Sequence, residues 1–444
     1  MLTRPAPNRH VELSMLMGIS ACLLGIRLYA ASRVGFGDSE ALYAAYALHP
    51  QPAYLDHPGL VGVVARAIGG GTAPDEQRAH VVTSIVSTLL PWGMALTCRS
   101  CGASWRRSFA AALVFALVPE VAIGLFALTP DLLLALAWTG ALAAAADALR
   151  SKPGSARSAA DFVAAGLLAG VAAASKATGV MLMAALVITY ASRAARPHAR
   201  TVAPWLGLAA GCLVLSPVVL FETHSGWPML RHRLVDSQAG AGMSMHNAAA
   251  VFGGQLAYLS PLVVVLAWRA GRDLWRSRGD VLGTLLLACC FVPLAVLLPL
   301  CLWSRVAEPH WLAPVLLALV PAAARVPANK RAREARSSLR LVASSCALSG
   351  AIVAAVYAWV LVPSLSRLVP PSDARLDIAN ELHGWPDALH ALRDEIHQFD
   401  RLPLDERPGV AVVGPHWVIC AQVDAALRGD VPVGCNTPIR DDFD

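Results

Sequence analysis

The chain has 444 residues, of which 56% are hydrophobic and only 15% are charged. Soluble globular proteins carry about 25% charged residues, so this composition excludes an ordinary soluble domain and indicates a polytopic membrane protein. The formal net charge of +6 does not indicate nucleic-acid binding, because the basic residues are scattered over separate loops.

Apolar stretches of about 20 residues, the length of a bilayer-spanning helix, recur along most of the chain. The sequence predicts about eleven spans, at 11–32, 79–97, 107–126, 130–149, 160–175, 177–193, 202–221, 250–269, 281–303, 309–324 and 340–362. No small-residue cleavage site follows the first stretch, so we expect a retained helix there and not a signal peptide. Inner loops are rich in Lys and Arg, which predicts a cytoplasmic N-terminus and, after an odd number of spans, an external C-terminus.

The first outer loop, residues 33–78, is too long for a simple connection. Within it the sequence predicts two short helices, Ser39–Leu48 and His57–Ile68, which we expect to lie along the membrane surface. Asp38 and Glu40 come just before and within the first of these helices.

Carboxylates beside a bilayer are costly and usually have a function. Asp38 and Glu40 would point the same way if their segment were extended. Asp38 is therefore a candidate general base for a substrate hydroxyl. The alternative is that Asp38 caps the helix that begins at Ser39.

Further polar residues recur on the same predicted outer side. They are Tyr54, Asp56 and His57 in the first loop, Asp131 at the start of the fourth span, Lys176 between the fifth and sixth, His224, Trp227, Arg231 and Arg233 after the seventh, and Glu308 and His310 before the tenth. Cations beside an aromatic ring suit a lipid-linked phosphate, and His57 at a helix start could donate an N–H to it. Simpler roles stay open, because Asp56 and Asp131 could cap helices and Lys176 could snorkel.

After Pro363 the composition changes, so the chain divides into a membrane domain, 1–362, and a small outer domain, 363–444. The sequence predicts a βαβ-like unit there, with strands at 410–413 and 431–433 around a helix at 417–427. Cys420 and Cys435 lie in this tail, where a disulfide is one of two open outcomes. The pair Cys98 and Cys101 has no second pair or His cluster, and does not by itself predict a zinc site.

The ordered set of motifs resembles the bacterial C-type (GT-C) glycosyltransferases, relatives of the protein O-mannosyltransferases and of the lipid A aminoarabinose and galacturonic acid transferases. The motifs are Gly37-Asp38-Ser39-Glu40 with Tyr43, Tyr54-Leu55-Asp56-His57-Pro58, Leu128-Thr129-Pro130-Asp131, Ala174-Ser175-Lys176-Ala177-Thr178, His224-Ser225-Gly226-Trp227, and Glu308-Pro309-His310-Trp311-Leu312-Ala313-Pro314, with a tail running from Val412-Val413-Gly414 to Asp442-Phe443. The resemblance covers nearly the whole chain.

This resemblance implies an all-α GT-C membrane domain with a small α/β periplasmic domain, in the inner membrane of a bacterium. It implies a sugar donor on polyprenyl phosphate, normally undecaprenyl phosphate, and an inverting single displacement. The first-loop aspartate of the family is catalytic and matches Asp38, with Glu40 orienting substrate or sharing that task. The chain departs from the family in having Asp-Ser-Glu where Asp-Glu is common, and His57 where some relatives have Lys.

The sequence therefore predicts a glycosyltransferase that moves one sugar to a glycolipid, glycan or protein hydroxyl at the periplasmic face. His57, Lys176, Arg231 and Arg233 are the candidates for the donor phosphate, and Tyr54, Asp56, Asp131, His224, Trp227, Glu308 and His310 for other substrate contacts. This chemistry requires no cofactor. The sequence leaves open whether a divalent metal binds between the carboxylates. The alternative is a transporter or flippase for a lipid-linked sugar. The sequence holds no P-loop, H-E-x-x-H or dinucleotide-binding glycine motif, which argues against ATP-driven transport, zinc proteolysis and nicotinamide chemistry.

Overall fold

The computed structural model describes residues 10–276, 279–305, 308–325, 332–369, 377–400, 409–436 and 442. These residues form α1 (His10–Ala31), α2 (Asp38–Ala45), α3 (Leu60–Gly69), α4 (Glu76–Ser100), α5 (Trp105–Leu117), α6 (Pro119–Ala122), α7 (Pro130–Arg150), α8 (Ala156–Ser175), α9 (Val180–Ala191), α10 (Arg196–Ala199), α11 (Ala203–His224), α12 (Pro228–Leu234), α13 (Met245–Tyr258), α14 (Pro261–Arg276), α15 (Val281–Trp303), α16 (Ala313–Ala324), α17 (Ala332–Leu361), α18 (Trp385–Asp400), β1 (Val412–Gly414), α19 (Trp417–Leu427) and β2 (Val433–Cys435).

Seven of these described helices, α1, α4, α7, α8, α11, α15 and the later part of α17, are long and apolar enough to cross a bilayer. Two bent pairs, Trp105–Leu117 with Pro119–Phe126 and α13 with α14, raise the number to nine if each is one span. The two remaining predicted segments, 177–193 and 309–324, contain shorter apolar helices. A multi-pass membrane protein is therefore confirmed, whereas the count of eleven stays a prediction.

The deepest charge of the predicted spans, Arg27, has a structural explanation. The chain bends by 73° between α5 and the segment Pro119–Phe126, which leaves backbone carbonyls without helical partners. The buried Arg27 guanidinium donates to the carbonyls of Val121 at 2.8 Å and Ala122 at 2.9 Å. The Tyr357 hydroxyl donates to the same Ala122 oxygen. Arg27 thus stabilises a broken helix.

Helices α7, α8 and α11 pack in series, with α8 between the other two. Glycines allow the last two to approach closely, because a Cβ at Gly166 would collide with the backbone of Gly207. Gly170 and Gly211 form a second such pair one turn further on. Small residues of this kind favour close helix packing in membranes.

The two short helices of the first loop are confirmed, as α2 and α3. They form an apolar cluster in which Tyr43 and Phe36 pack with Ala421 and Ala425 of α19. The tail is therefore docked on the first loop. Its two strands pair in parallel, with Val412 opposite Val433.

The predicted helix at 417–427 is confirmed as α19, and the two predicted strands lie about two residues later than predicted. Cys420 and Cys435 are joined by a disulfide, which resolves the open alternative. Helix α18 was not predicted, although it packs Leu389 against Val423 and Leu427.

Candidate functional site

Asp38 is the first residue of α2, and Gly37 occupies the cap position. The alternative prediction, in which Asp38 caps a helix that begins at Ser39, is therefore wrong. The Asp38 side chain is half-exposed, and none of the described residues donates a hydrogen bond to its carboxylate. Partial burial raises the pKa of Asp38 to about 6, assisted by the negative charge of Glu381 and opposed by His416. Asp38 is thus partly exposed and ionised at neutral pH.

Glu40 is buried and fully engaged. Its carboxylate accepts from the backbone N–H of Leu128 at 2.6 Å and of Gly37 at 3.1 Å, and lies 3.0 Å from His80 Nε2. Burial would raise the pKa of Glu40, but His80 and these N–H groups together lower it. Because both carboxylates lie in a helix, positions two apart are about 200° apart around its axis, so the expectation that they point the same way is wrong. Glu40 instead anchors the start of α2 to the entrance of α7.

Three predicted motifs meet in one group, Asp131, Lys176, Glu308 and His310, which we call the lysine cluster. The Lys176 Nζ donates to both Asp131 oxygens at 2.8 Å and to His310 Nε2 at 3.3 Å. His310 Nδ1 lies 3.0 Å from Glu308, and this hydrogen bond lowers the pKa of Glu308. Lys176 is buried at the break between α8 and α9, so it pairs with Asp131 and does not merely snorkel.

A second group, Asp56, His232 and Arg233, joins the first loop to α12, and we call it the arginine cluster. Arg233 Nη2 lies 3.0 Å from the Asp56 carboxylate, and Arg233 Nε donates to the Asp56 carbonyl at 3.2 Å. His232 Nε2 is 3.6 Å from the same carboxylate. Helix α3 begins at Leu60 with Gly59 as its cap, so Asp56 is not a helix cap.

His57 and Tyr43 lie between the two clusters. Their rings meet edge to face at 5.5 Å, and both side chains are buried. Burial, followed by the charges of Lys176 and Arg233, holds the pKa of His57 well below its usual value. His57 is therefore neutral and, lying three residues before α3, does not sit at that helix's positive end.

Four other predicted contacts lie apart from the clusters. Tyr54 is buried, and its hydroxyl donates to the carbonyls of Tyr46 and His49. The exposed His224 bonds a carbonyl of its own helix, and Trp227 adopts a left-handed backbone at the start of α12. The Arg231 side chain is 71% exposed and lies 3.6 Å from Asp236. The structure thus separates Arg231 from Arg233, two residues that the sequence placed together.

Three further carboxylates lie beside the site, and the sequence did not predict their contacts. The buried Glu222 accepts from the N–H groups of Met229 and Leu230 and so holds the start of α12. Asp442 accepts from the Tyr46 hydroxyl and from the Leu55 N–H, and Glu381 lies beside Asp38. Glu222 precedes the predicted His224 motif by two residues, whereas Asp442 and Glu381 come from the distant tail.

Among the described residues, no three His, Cys, Asp or Glu side chains are placed to hold a metal ion. Metal dependence therefore stays an open part of the prediction.

Comparison with known proteins identifies the fold. A family model described as dolichyl-phosphate-mannose-protein mannosyltransferase matches residues 67–221, a stretch that includes Asp131 and Lys176 but begins after Asp38. No curated protein sequence is significantly similar to the chain.

Two solved structures share the fold over nearly the whole chain. ArnT from Cupriavidus metallidurans bound to undecaprenyl phosphate aligns with a TM-score of 0.61 and 15% identity, covering 94% of this chain and 85% of ArnT. The oligosaccharyltransferase AglB from Archaeoglobus fulgidus, in complex with an inhibitory peptide and a dolichol-phosphate, aligns with a TM-score of 0.60 and 13% identity, covering 94% of this chain and 63% of AglB. The chain therefore shares the fold of these two structures over nearly its whole length, and residues 67–221 are similar to the family described as dolichyl-phosphate-mannose-protein mannosyltransferase.

Proposed function

We propose that this protein is a membrane glycosyltransferase that moves one sugar from a polyprenyl-phosphate donor to an acceptor hydroxyl at the periplasmic face. The observation that carries the proposal is that the lysine cluster brings three separate motifs together, while the arginine cluster joins the first loop to α12. The ArnT and AglB structures, which contain undecaprenyl phosphate and dolichol-phosphate, support a lipid phosphate as the ligand.

Asp38 acts as the general base. The acceptor hydroxyl transfers its proton to the Asp38 carboxylate as the hydroxyl oxygen attacks the anomeric carbon of the sugar. The bond between that carbon and the phosphate oxygen breaks, and its electron pair leaves with the polyprenyl phosphate. A base with a pKa of about 6 is ionised at neutral pH and still basic enough to accept a proton in the transition state.

The two clusters supply the positive charge that the departing phosphate needs. Within the described part of the chain, Arg233 contacts Asp56 through Nη2 and Nε. A guanidinium has five N–H donors, so donors are left for a phosphate oxygen. Lys176 is oriented by Asp131 and faces His310. Cations fixed in place before the reaction stabilise developing negative charge without reorganisation.

Glu40 serves as a positioning residue in this scheme, because its oxygens already bond Gly37, His80 and Leu128. Arg231, Tyr54, His224 and Trp227 are not needed for the chemical step.

A donor panel tests the function. Purified protein in detergent is incubated with polyprenyl-phosphate sugars of different types and a membrane-envelope extract that supplies acceptors, and free polyprenyl phosphate is measured. We expect release from at least one donor, with the sugar appearing on an acceptor in the β configuration if the donor is α, or the reverse. Movement of the intact donor across a vesicle membrane without release would instead indicate a flippase and contradict the proposal.

A further inference from the structure

We propose that Glu381, in the C-terminal tail, is a positioning residue for Asp38 that sets the charge beside its carboxylate. This inference rests on the proposed function for its catalytic meaning. Glu381 lies in residues 377–384, which we call the strap, and the strap crosses the start of α2.

The strap is fixed to the last long helix at both ends. The Asp377 carboxylate accepts from Trp359 Nε1 at 2.8 Å, and His383 Nε2 lies 3.0 Å from the carbonyl of Val360. Asp377 also accepts from the Ala379 N–H at 2.9 Å, which closes the first turn of the strap. These bonds define where residues 378–382 lie.

The strap is also bonded to the segment that precedes α2. The Gly35 N–H donates to the carbonyl of Leu382 at 2.9 Å, and the Asp38 N–H lies 3.4 Å from Glu381 Oε2. Gln422 of α19 donates to the carbonyl of Phe36 at 2.9 Å. Three contacts from the tail therefore meet the four residues Gly35–Asp38, and one of them brings a carboxylate to the N-terminal turn that carries the candidate base.

Two charges close together in this position have a clear physical effect. The titratable groups that face Asp38 are Glu381 from the strap and His416 from the turn before α19. Glu40 on the same helix is turned away and bonded to His80. A neighbouring carboxylate disfavours ionisation of Asp38 and so makes it a stronger base. The exposed location of Glu381 means that salt screens part of this effect.

The test measures Asp38 itself and so does not depend on finding a substrate. The full-length protein is treated with a carbodiimide and an amine at a series of pH values, and the labelling of Asp38 is followed by peptide mass spectrometry. Because the reagent needs a protonated carboxyl, the labelling curve reports the ionisation of Asp38. Glu381→Gln removes the charge but keeps an oxygen that can accept the Asp38 N–H, and Glu381→Ala removes both.

We expect both variants to shift the Asp38 labelling midpoint to lower pH by about 0.3–1 unit, the size of one partly screened charge at close range. The shift should shrink in 1 M salt. Glu395→Gln, an exposed carboxylate on α18, is the matched control and should leave the midpoint unchanged. A midpoint that does not move in Glu381→Gln overturns the inference.

Turnover separates this inference from the proposed function. With an active donor, Glu381→Gln should move the acid limb of the pH profile in the same direction and leave donor affinity unchanged. A shifted labelling curve in a protein that releases no polyprenyl phosphate would retain the role of Glu381 and contradict the transferase. Turnover in a protein whose Asp38 labelling curve does not shift in Glu381→Gln would support the transferase and contradict the role of Glu381.

Discussion

Asp38 is set apart from the other carboxylates of the first loop by what surrounds it. Glu40 and Asp56 both have close polar partners, whereas none of the described residues donates a hydrogen bond to the carboxylate of Asp38. A general base must reach the substrate proton directly, so a half-exposed carboxylate with no hydrogen-bond donor among the described residues is the best candidate.

The pH profile of turnover follows from this assignment. The base works only when it is ionised, and partial burial raises the pKa of Asp38 to about 6. We expect kcat/KM to be nearly constant above pH 7 and to fall about tenfold for each unit below pH 6. Initial rates of polyprenyl-phosphate release between pH 4.5 and 8 give this profile. An acid limb centred near pH 4 would indicate a different base or an unperturbed one.

The two arginines of α12 provide a matched pair for the phosphate site. Arg233 has a side chain only 29% exposed and lies in the arginine cluster, whereas Arg231 is 71% exposed and lies beside Asp236. We expect Arg233→Ala to weaken donor binding about 10-fold or more, the usual effect of losing a charged hydrogen-bond donor. Arg231→Ala should change it by less than about twofold.

Binding of a fluorescent polyprenyl-phosphate analogue to the purified variants measures both affinities. Equal losses in the two variants would mean that their charges act together and that the structural separation of the two side chains has no functional meaning.

Sequence reasoning predicted these residues better than their roles. It placed Asp38, Asp56, Asp131, Lys176 and His310 on one side of the membrane because the loops predicted on the other side are rich in Lys and Arg. It could not pair Lys176 with Asp131 or Arg233 with Asp56, because these pairs lie 45 and 177 residues apart. It predicted that the Glu40 side chain points the same way as that of Asp38, which only an extended segment would allow. No local sequence pattern marked Glu381 as a residue beside the site.

Helices α8 and α11 depend on glycine for their close approach. A Cβ at Gly166 would overlap the backbone of Gly207, which cannot move away as a side chain could. We expect Gly166→Ala to destabilise the protein by about 1–3 kcal/mol, the usual cost of overpacking. Thermal unfolding of the purified protein in detergent measures the change.

Gly18→Ala is the control for that substitution, because a Cβ at Gly18 on α1 meets nothing within 4 Å. Alanine also has the higher helix propensity, so this variant should be neutral or slightly more stable. Similar Tm values for the two variants would contradict the packing of α8 on α11.

The secondary-structure elements were predictable where one local signal dominated. Apolar length predicted the long helices. The predicted end of the second loop helix at Ile68 lies one residue before the observed end of α3, whose cap Gly70 has a left-handed backbone. Helix α18 was missed because its apolar residues contact the tail domain and its average composition is polar. The bends at Val118 and Ser260 depend on tertiary contacts such as those of Arg27, which the local sequence does not specify.

At the scale of the whole molecule, the contacts between loops constrain the orientation of the chain in the membrane. The first loop contacts both α12 and the tail, so these three parts lie on one side of the bilayer. The basic loops predict that this side is the periplasm.

Labelling of introduced cysteines in intact cells tests this orientation. Ser39 and Lys152 are each replaced by cysteine in a chain without native cysteines, and their labelling by a membrane-impermeant maleimide is compared. We expect labelling at position 39 only, and labelling at position 152 only would contradict the topology.

Release of polyprenyl phosphate by Asp38→Asn, measured beside donor binding, tests the account most directly. The amide keeps the size of the side chain but cannot accept the acceptor's proton. We predict that turnover falls about 10²- to 10⁴-fold, while donor affinity stays within about twofold of the unsubstituted protein. Asp38→Asn that releases polyprenyl phosphate at the unsubstituted rate would show that this carboxylate is not the base.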